Sequence, residues 1–129
     1  MYCLKVFRKD GLVKLAVHGD VSEEEMQALG RDLERELLTP DRSNRRVLAD
    51  LRRTKPLTSD VAAVLRVIEE HSIDTGGARI AEVVQSQLVA AQLEQVTGSA
   101  GLGEHIRHFC ELEPALAWLA EPPPKPRTP

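Results

Sequence analysis

The run Val47-Leu48-Ala49 constrains the fold of this chain more than any other segment. Successive side chains of a strand point to opposite faces, so a strand through three consecutive apolar residues must be covered on both. That is the condition of a central strand in a parallel sheet layered with helices. The flanking sequence supplies the layers. Upstream, Ser22 and Glu25 have the spacing of a capping box, and Glu23 and Glu24 place negative charge at the positive end of a helix. Met26, Leu29, Leu33 and Leu37 then recur at helical spacing until Pro40. Downstream, Ser59 is placed to cap a second helix with the apolar stripe Val61, Val64, Leu65 and Ile68, ended by Gly76-Gly77.

The remaining elements follow from the same patterns. Residues 2–8 and 11–18 read as strands, because Val13, Leu15 and Val17 alternate with Lys14, Ala16 and His18. Lys9-Asp10-Gly11 between them supplies a turn, which predicts an opening hairpin. Residues 46–51 form the third strand and 52–58 a loop. Ala78–Val84 reads as a fourth strand, Ser86–Thr97 as a third helix and residues 104–110 as a fifth strand. A last helix with Pro114 in its first turn runs to about Ala120. The order β-β-α-β-α-β-α-β-α predicts an α/β fold, a mostly parallel, mixed five-stranded sheet with four helices. The 129 residues suffice for one core. Residues 1–120 are therefore expected to form a single domain. Glu121–Pro129, with five of the chain's eight prolines, is expected to be an extended or disordered tail.

Composition removes several function classes. Net charge is −3, and aromatic residues make up only 3%, which argues against generic nucleic-acid binding and base stacking. Charges interrupt every apolar run near the N-terminus, so neither a signal peptide nor a membrane span is expected, and a cytoplasmic protein is. Cys3 and Cys110 lack metal-ligand or redox spacing and read as reduced, small apolar side chains, with one long-range disulfide between them as the alternative. Gly98-Ser-Ala-Gly-Leu-Gly103 has the glycine spacing of a phosphate loop, but Glu104 and His105 follow where Lys and Ser or Thr are required. It reads as a helix-to-strand connection. His105 and His108 fall on opposite faces of the expected fifth strand, and His108 with Cys110 is too small a set for a structural zinc. The histidines are expected to be solvated or partly buried. No catalytic motif appears, and no cofactor is implied.

Charge is most uneven around the central strand. Arg42, Arg45, Arg46, Arg52, Arg53 and Lys55 fall within a short stretch whose one acid is Asp50. The first helix is the reverse, with Glu23, Glu24, Glu25, Asp32, Glu34 and Glu36 against Arg31 and Arg35. Arg52, Arg53 and Lys55 lie at the carboxyl end of the expected central strand, the usual side for ligands and contacts in parallel sheets. They precede the helix that Ser59 opens, and helix N-termini favour anions. Arg52, Arg53, Lys55 and Asp60 are therefore the candidate partner- or anion-binding surface. A phosphate on Ser59 would meet both the helix end and nearby cations.

The element order, the strand ending Val-Leu-Ala-Asp-Leu-Arg at 47–52 and the helix opening near Thr58-Ser59 resemble the STAS domain of sulfate transporters and sporulation anti-sigma factor antagonists. Ala78-Arg-Ile-Ala-Glu-Val-Val84, Ile106-Arg-His-Phe109 and Ala115-Leu-Ala-Trp-Leu119 are closer to a stand-alone bacterial branch similar in fold to CRAL-TRIO lipid-binding domains. The resemblance spans about residues 2–120. It implies a non-enzymatic interaction module that meets a protein partner such as a kinase-like anti-sigma factor. Its phospho-acceptor would fall at Ser59, with Thr58 beside it. Here Thr58 stands where the family has Asp, and Asp60-Val61 follows in place of a small residue and Gly. The CRAL-TRIO similarity implies, as an alternative, a small-ligand or lipid-binding module.

Overall fold

The chain begins with β1 (Tyr2–Phe7) and β2 (Leu12–Gly19), an antiparallel hairpin in which Leu4 faces Leu15 and Val6 faces Val13. The computed structural model describes residues 1–38, 46–75 and 79–122. Pro40, Arg42, Arg45, Gly76, Gly77, Ala78 and residues 123–129 therefore lie outside the described residues. A 3-10 turn at Arg8–Asp10 leads into Gly11, whose φ of 62° lets the backbone reverse without a Cβ clash.

The first helix, α1 (Glu23–Leu37), forms as its cap specifies, with the Glu25 amide donating to Ser22 Oγ at 3.1 Å. Its stripe of Met26, Leu29, Leu33 and Leu37 is wholly buried. Each such leucine contributes about 1.5–3 kcal/mol by leaving water. The central strand, β3 (Arg46–Thr54), is longer than the sequence pattern predicts and carries Arg52 and Arg53 within it, so the following loop starts at Lys55. Next come α2 (Ser59–Thr75), β4 (Arg79–Val83), α3 (Gln87–Ala100), β5 (Ile106–Phe109) and α4 (Leu112–Leu119).

The sheet has strand order β1-β2-β3-β4-β5; β1 runs antiparallel to β2, and the other pairs are parallel. Each step from β2 to β5 moves one strand in the same direction. Crossovers of a single hand then place α1, α2 and α3 on the same face. Their apolar stripes form one large core with Val13, Leu15, Val47, Ala49 and Ile80. The opposite face is covered by α4, which lies against β3, β4 and β5. Leu48, Ala81 and Val83 pack there with Ala115, Trp118 and Leu119 as a second, smaller core. Val47-Leu48-Ala49 is thus divided between two cores, as its double-faced apolarity requires.

Two contacts fix helix placement. A Cβ on Gly30 of α1 would lie 2.8 Å from Ile68 Cγ1 of α2, so the helices approach at a point that only glycine fits as they stand. On the other face, buried Arg79 donates from Nη1 to the Trp118 carbonyl and from Nη2 to the Pro122 carbonyl, both at 2.5 Å. Its guanidinium also lies 4.7 Å from the Trp118 ring centroid. A cation at the carbonyl end of α4 and over an aromatic face favours the docked helix twice.

The structure differs from the sequence reading in three further respects. The helix α3 continues through Gly98 to Ala100 and ends at Gly101, where φ is 70°. An interior helical glycine costs only about 1 kcal/mol, and the neighbouring turns override it. His105 precedes β5 rather than lying on it and is buried, so the opposite-face argument for His105 and His108 does not apply. Cys3 and Cys110 are unbonded, but both are exposed, not packed as small apolar residues.

Candidate functional site

The start of α2 is set by Thr58. Its Oγ1 accepts from the Val61 amide at 3.3 Å, and its carbonyl accepts from the Ala62 amide at 2.9 Å. Thr58 is therefore the capping residue, and Ser59, expected in that role, is the first helical residue. This one-position shift leaves Ser59 exposed, beside exposed Asp60 in the same turn. The loop before the cap is held against α3, because the Gln92 side-chain amide accepts from the Leu57 amide at 2.9 Å and donates to the Leu57 carbonyl at 2.8 Å. Between the two helices runs a groove of about 410 Å³ lined by Thr58, Ser59, Arg66, Gln92, Gln95 and Ser99, among others.

Arg52 and Arg53 lie elsewhere. From Ala16 to His18 the β2 strand advances two residues while its partner β3 advances three, from Asp50 to Arg53. The extra residue is a bulge, and a bulge interrupts the in-and-out alternation of a strand. Both arginines are consequently exposed and line a cleft of about 290 Å³ with His18, Asp50 and Gln85. Arg52 is engaged within the strand. Its Nε and Nη2 donate to the two Asp50 oxygens at 2.9 and 2.8 Å, and its backbone amide donates to Asp50 Oδ1. These hydrogen bonds hold the Asp50 carboxyl below its ordinary pKa and Arg52 above its own.

The candidate residues thus divide into two places. Thr58 and Ser59 border the α2–α3 groove, while Arg52 and Arg53 border the cleft at the bulge, and no described residue lines both. Lys55 stands 3.8 Å from Asp20, with both side chains largely exposed. Neither Lys55 nor Asp60 lines the groove or the cleft.

The sequence reading missed a buried polar chain under the helix layer. Glu69 of α2 and Glu82 of β4 are each only 2% exposed. The Glu82 Oε1 atom meets His108 Nε2 at 2.8 Å, and the same nitrogen lies 3.4 Å from Thr97 Oγ1. The two Glu69 oxygens make no hydrogen bond of full geometry, although its carboxyl lies beside that of Glu82. Burial first, then the Glu82 charge and proton sharing with it, push the Glu69 pKa up to about 11. Both residues border an otherwise largely apolar cavity of about 40 Å³. A signal was present: Glu69 lies four residues beyond Leu65 on the apolar stripe, and Glu82 stands inside the apolar run 80–84.

Among the described residues no group of three His, Cys, Asp or Glu is placed to hold a metal ion. No described helix is long and apolar enough to cross a membrane.

Comparison with known proteins adds the following. The family model described as SpoIIAA-like matches residues 12–120. No curated protein matches the chain. Among solved structures, an uncharacterised protein with a SpoIIAA-like fold from Shewanella loihica is 20% identical; the match covers 92% of each chain with a TM-score of 0.63. An anti-sigma factor antagonist from Mycobacterium paratuberculosis is 17% identical over 94% of this chain and 96% of its own, with a TM-score of 0.63. The protein TM1081 is 18% identical over 95% and 90%, with a TM-score of 0.67. At these identities the solved structures show a shared fold.

Proposed function

The chain belongs to the SpoIIAA-like family, and from that premise we propose that it is a bacterial regulatory module that works by protein–protein contact and not by catalysis. The contact site in this reading is the groove between α2 and α3. Phosphorylation at Ser59 regulates it, with Thr58 as the second candidate acceptor. The observation that carries the reading is the capping shift: Thr58 spends its hydroxyl on the helix end, which leaves the Ser59 hydroxyl exposed at the mouth of an open groove. A phosphate on Ser59 would sit at the positive end of α2, where the helix dipole favours it. Asp60 beside it would oppose that charge, so the phosphate would act more by obstructing the groove than by anchoring there. The anti-sigma factor antagonist among the similar structures supports a protein as the partner class.

Affinity capture from extract of the source cells with the unmodified chain, Ser59→Ala and Ser59→Asp tests this, together with phosphopeptide mapping of the captured bait. The expected outcome is a partner retained by the unmodified chain and Ser59→Ala but lost with Ser59→Asp, and phosphate found on the peptide carrying Ser59. Identical capture by all three would sink the role of Ser59.

A second reading, a small-ligand or lipid-binding module, draws on the cavity bordered by Glu69 and Glu82. Its volume of about 40 Å³ has room for about one or two water molecules. Ligand pockets measure roughly 300 Å³ or more, so a lipid would require the helix layer to part from the sheet. A lipid co-purifying at one per chain in native mass spectrometry would favour this reading over the first.

A further inference from the structure

Among the described residues, the winding that puts three helices on one face leaves part of the other face without a helix layer. The helix α4 lies against β3 to β5, and Leu12 of β2 packs on the core it closes. Cys3, Lys5, Phe7, Lys14 and Ala16, on the same face of β1 and β2, have no described helix packed across them; Leu112 of α4 borders their edge. Lys5 and Lys14 are directly opposite in the hairpin register and border the same cleft. Like charges facing each other across strands are destabilising, and natural sheets usually avoid them. No carboxylate among the described residues forms an ion pair with either lysine, or with Arg53. Lys14 instead lies 5.2 Å from the ring centroid of Phe7, which is 41% exposed.

This hairpin cleft, about 330 Å³, adjoins the cleft at the bulge, about 290 Å³; the two share Ala16, His18, Asp50 and Arg52. Asp50, the one carboxylate among the described residues that line them, is already taken by Arg52. Free positive charge is thus left at Lys5 on β1, Lys14 on β2 and Arg53 on β3. Neighbouring strands lie about 4.8 Å apart, and Arg53 pairs with His18, four residues of about 3.3 Å rise beyond Lys14, so the charges spread over roughly 15 Å, too wide for one small anion to meet all three. The floor between them is partly apolar, with Ala16, Leu48 and Leu112. An acidic chain with few aromatics is a poor match for nucleic acid.

We propose that this sheet face docks an acidic, extended segment of a partner protein, with carboxylates meeting Lys5, Lys14 and Arg53 and aliphatic side chains resting on the half-buried Ala16 and Leu112. The surface lies apart from the groove beside Ser59. Either can fail alone, because that groove is tested by capture with Ser59 variants.

The probe is a fluorescein-labelled short peptide alternating Glu and Thr, followed by anisotropy, with the matching Gln–Thr peptide as control. Saturable binding of the Glu peptide that weakens with added salt is expected, with none by the Gln peptide. Lys14→Glu replaces the like-charge pair with an opposite-charge one across from Lys5. Its thermal midpoint should hold or rise while affinity falls about fivefold or more. Arg53→Gln should weaken binding in the same direction without altering the hairpin. The proposal is overturned if Lys14→Glu binds the Glu peptide as well as the unmodified chain, if the Gln peptide binds equally, or if phosphatidylserine vesicles are bound and the peptide is not.

Discussion

Glu69 is held as a neutral acid by its surroundings. It is buried among apolar side chains beside a second carboxyl, and its pKa is pushed up to about 11 from an ordinary value of 4.5. A carboxyl whose folded pKa is raised favours the fold fully below its unfolded pKa. That contribution is lost progressively as the unfolded chain ionises and the folded one resists. The window therefore runs upward from about 4.5 toward about 11, with stability falling as pH rises. Glu69→Gln keeps the shape and cannot ionise. Thermal midpoints of the variant should decline less between acidic and alkaline buffers than those of the parent, and should exceed them on the alkaline side. Parallel profiles for the two would show that Glu69 is not the group responsible. The position of Glu69 on a buried stripe could be read from its spacing. Its neighbour could not, since Glu82 lies on another element, and only the packing of α2 over β4 brings the two carboxyls together.

At the scale of elements, the clearest consequence concerns the start of α2. Removing a capping hydroxyl typically costs about 1 kcal/mol, so Thr58→Ala should lower stability by that amount in urea titration. Ser59→Ala, at an exposed first helical position, should change it by less than about 0.5 kcal/mol. The opposite ranking would return the cap to Ser59. Sequence spacing places a helix start at either residue, because both carry a hydroxyl and caps differ by one position in backbone angle alone. The same limit applies to β3. Alternation alone places one of Arg52 and Arg53 on each face, whereas a bulge against β2 exposes both beside His18. Nothing in residues 50–54 marks the bulge, which arises from pairing with a strand more than thirty residues earlier.

For the whole molecule, the two faces of the sheet are unequal. The helix layer α1–α3 closes the larger core, while α4 closes a smaller one with six buried residues among those described, held at its end by Arg79. A short helix with few buried neighbours opens before the centre of a sheet does. In native-state hydrogen exchange the α4 amides should therefore exchange well ahead of those at 47–50 and 80–83, and Arg79→Met should speed exchange in α4 selectively. Uniform exchange across both regions would mean a single cooperative unit. Sequence by itself determined the element order, the cap and stripe of α1, the hairpin and the two-faced burial of Val47-Leu48-Ala49, because each is written in local spacing. Tertiary structure alone decided which strands meet beyond the hairpin, and with it the bulge at Arg52, the Glu69–Glu82 contact and which face of the hairpin the described helices leave without a layer. Those depend on residues distant in the chain becoming neighbours, and no local period encodes that distance.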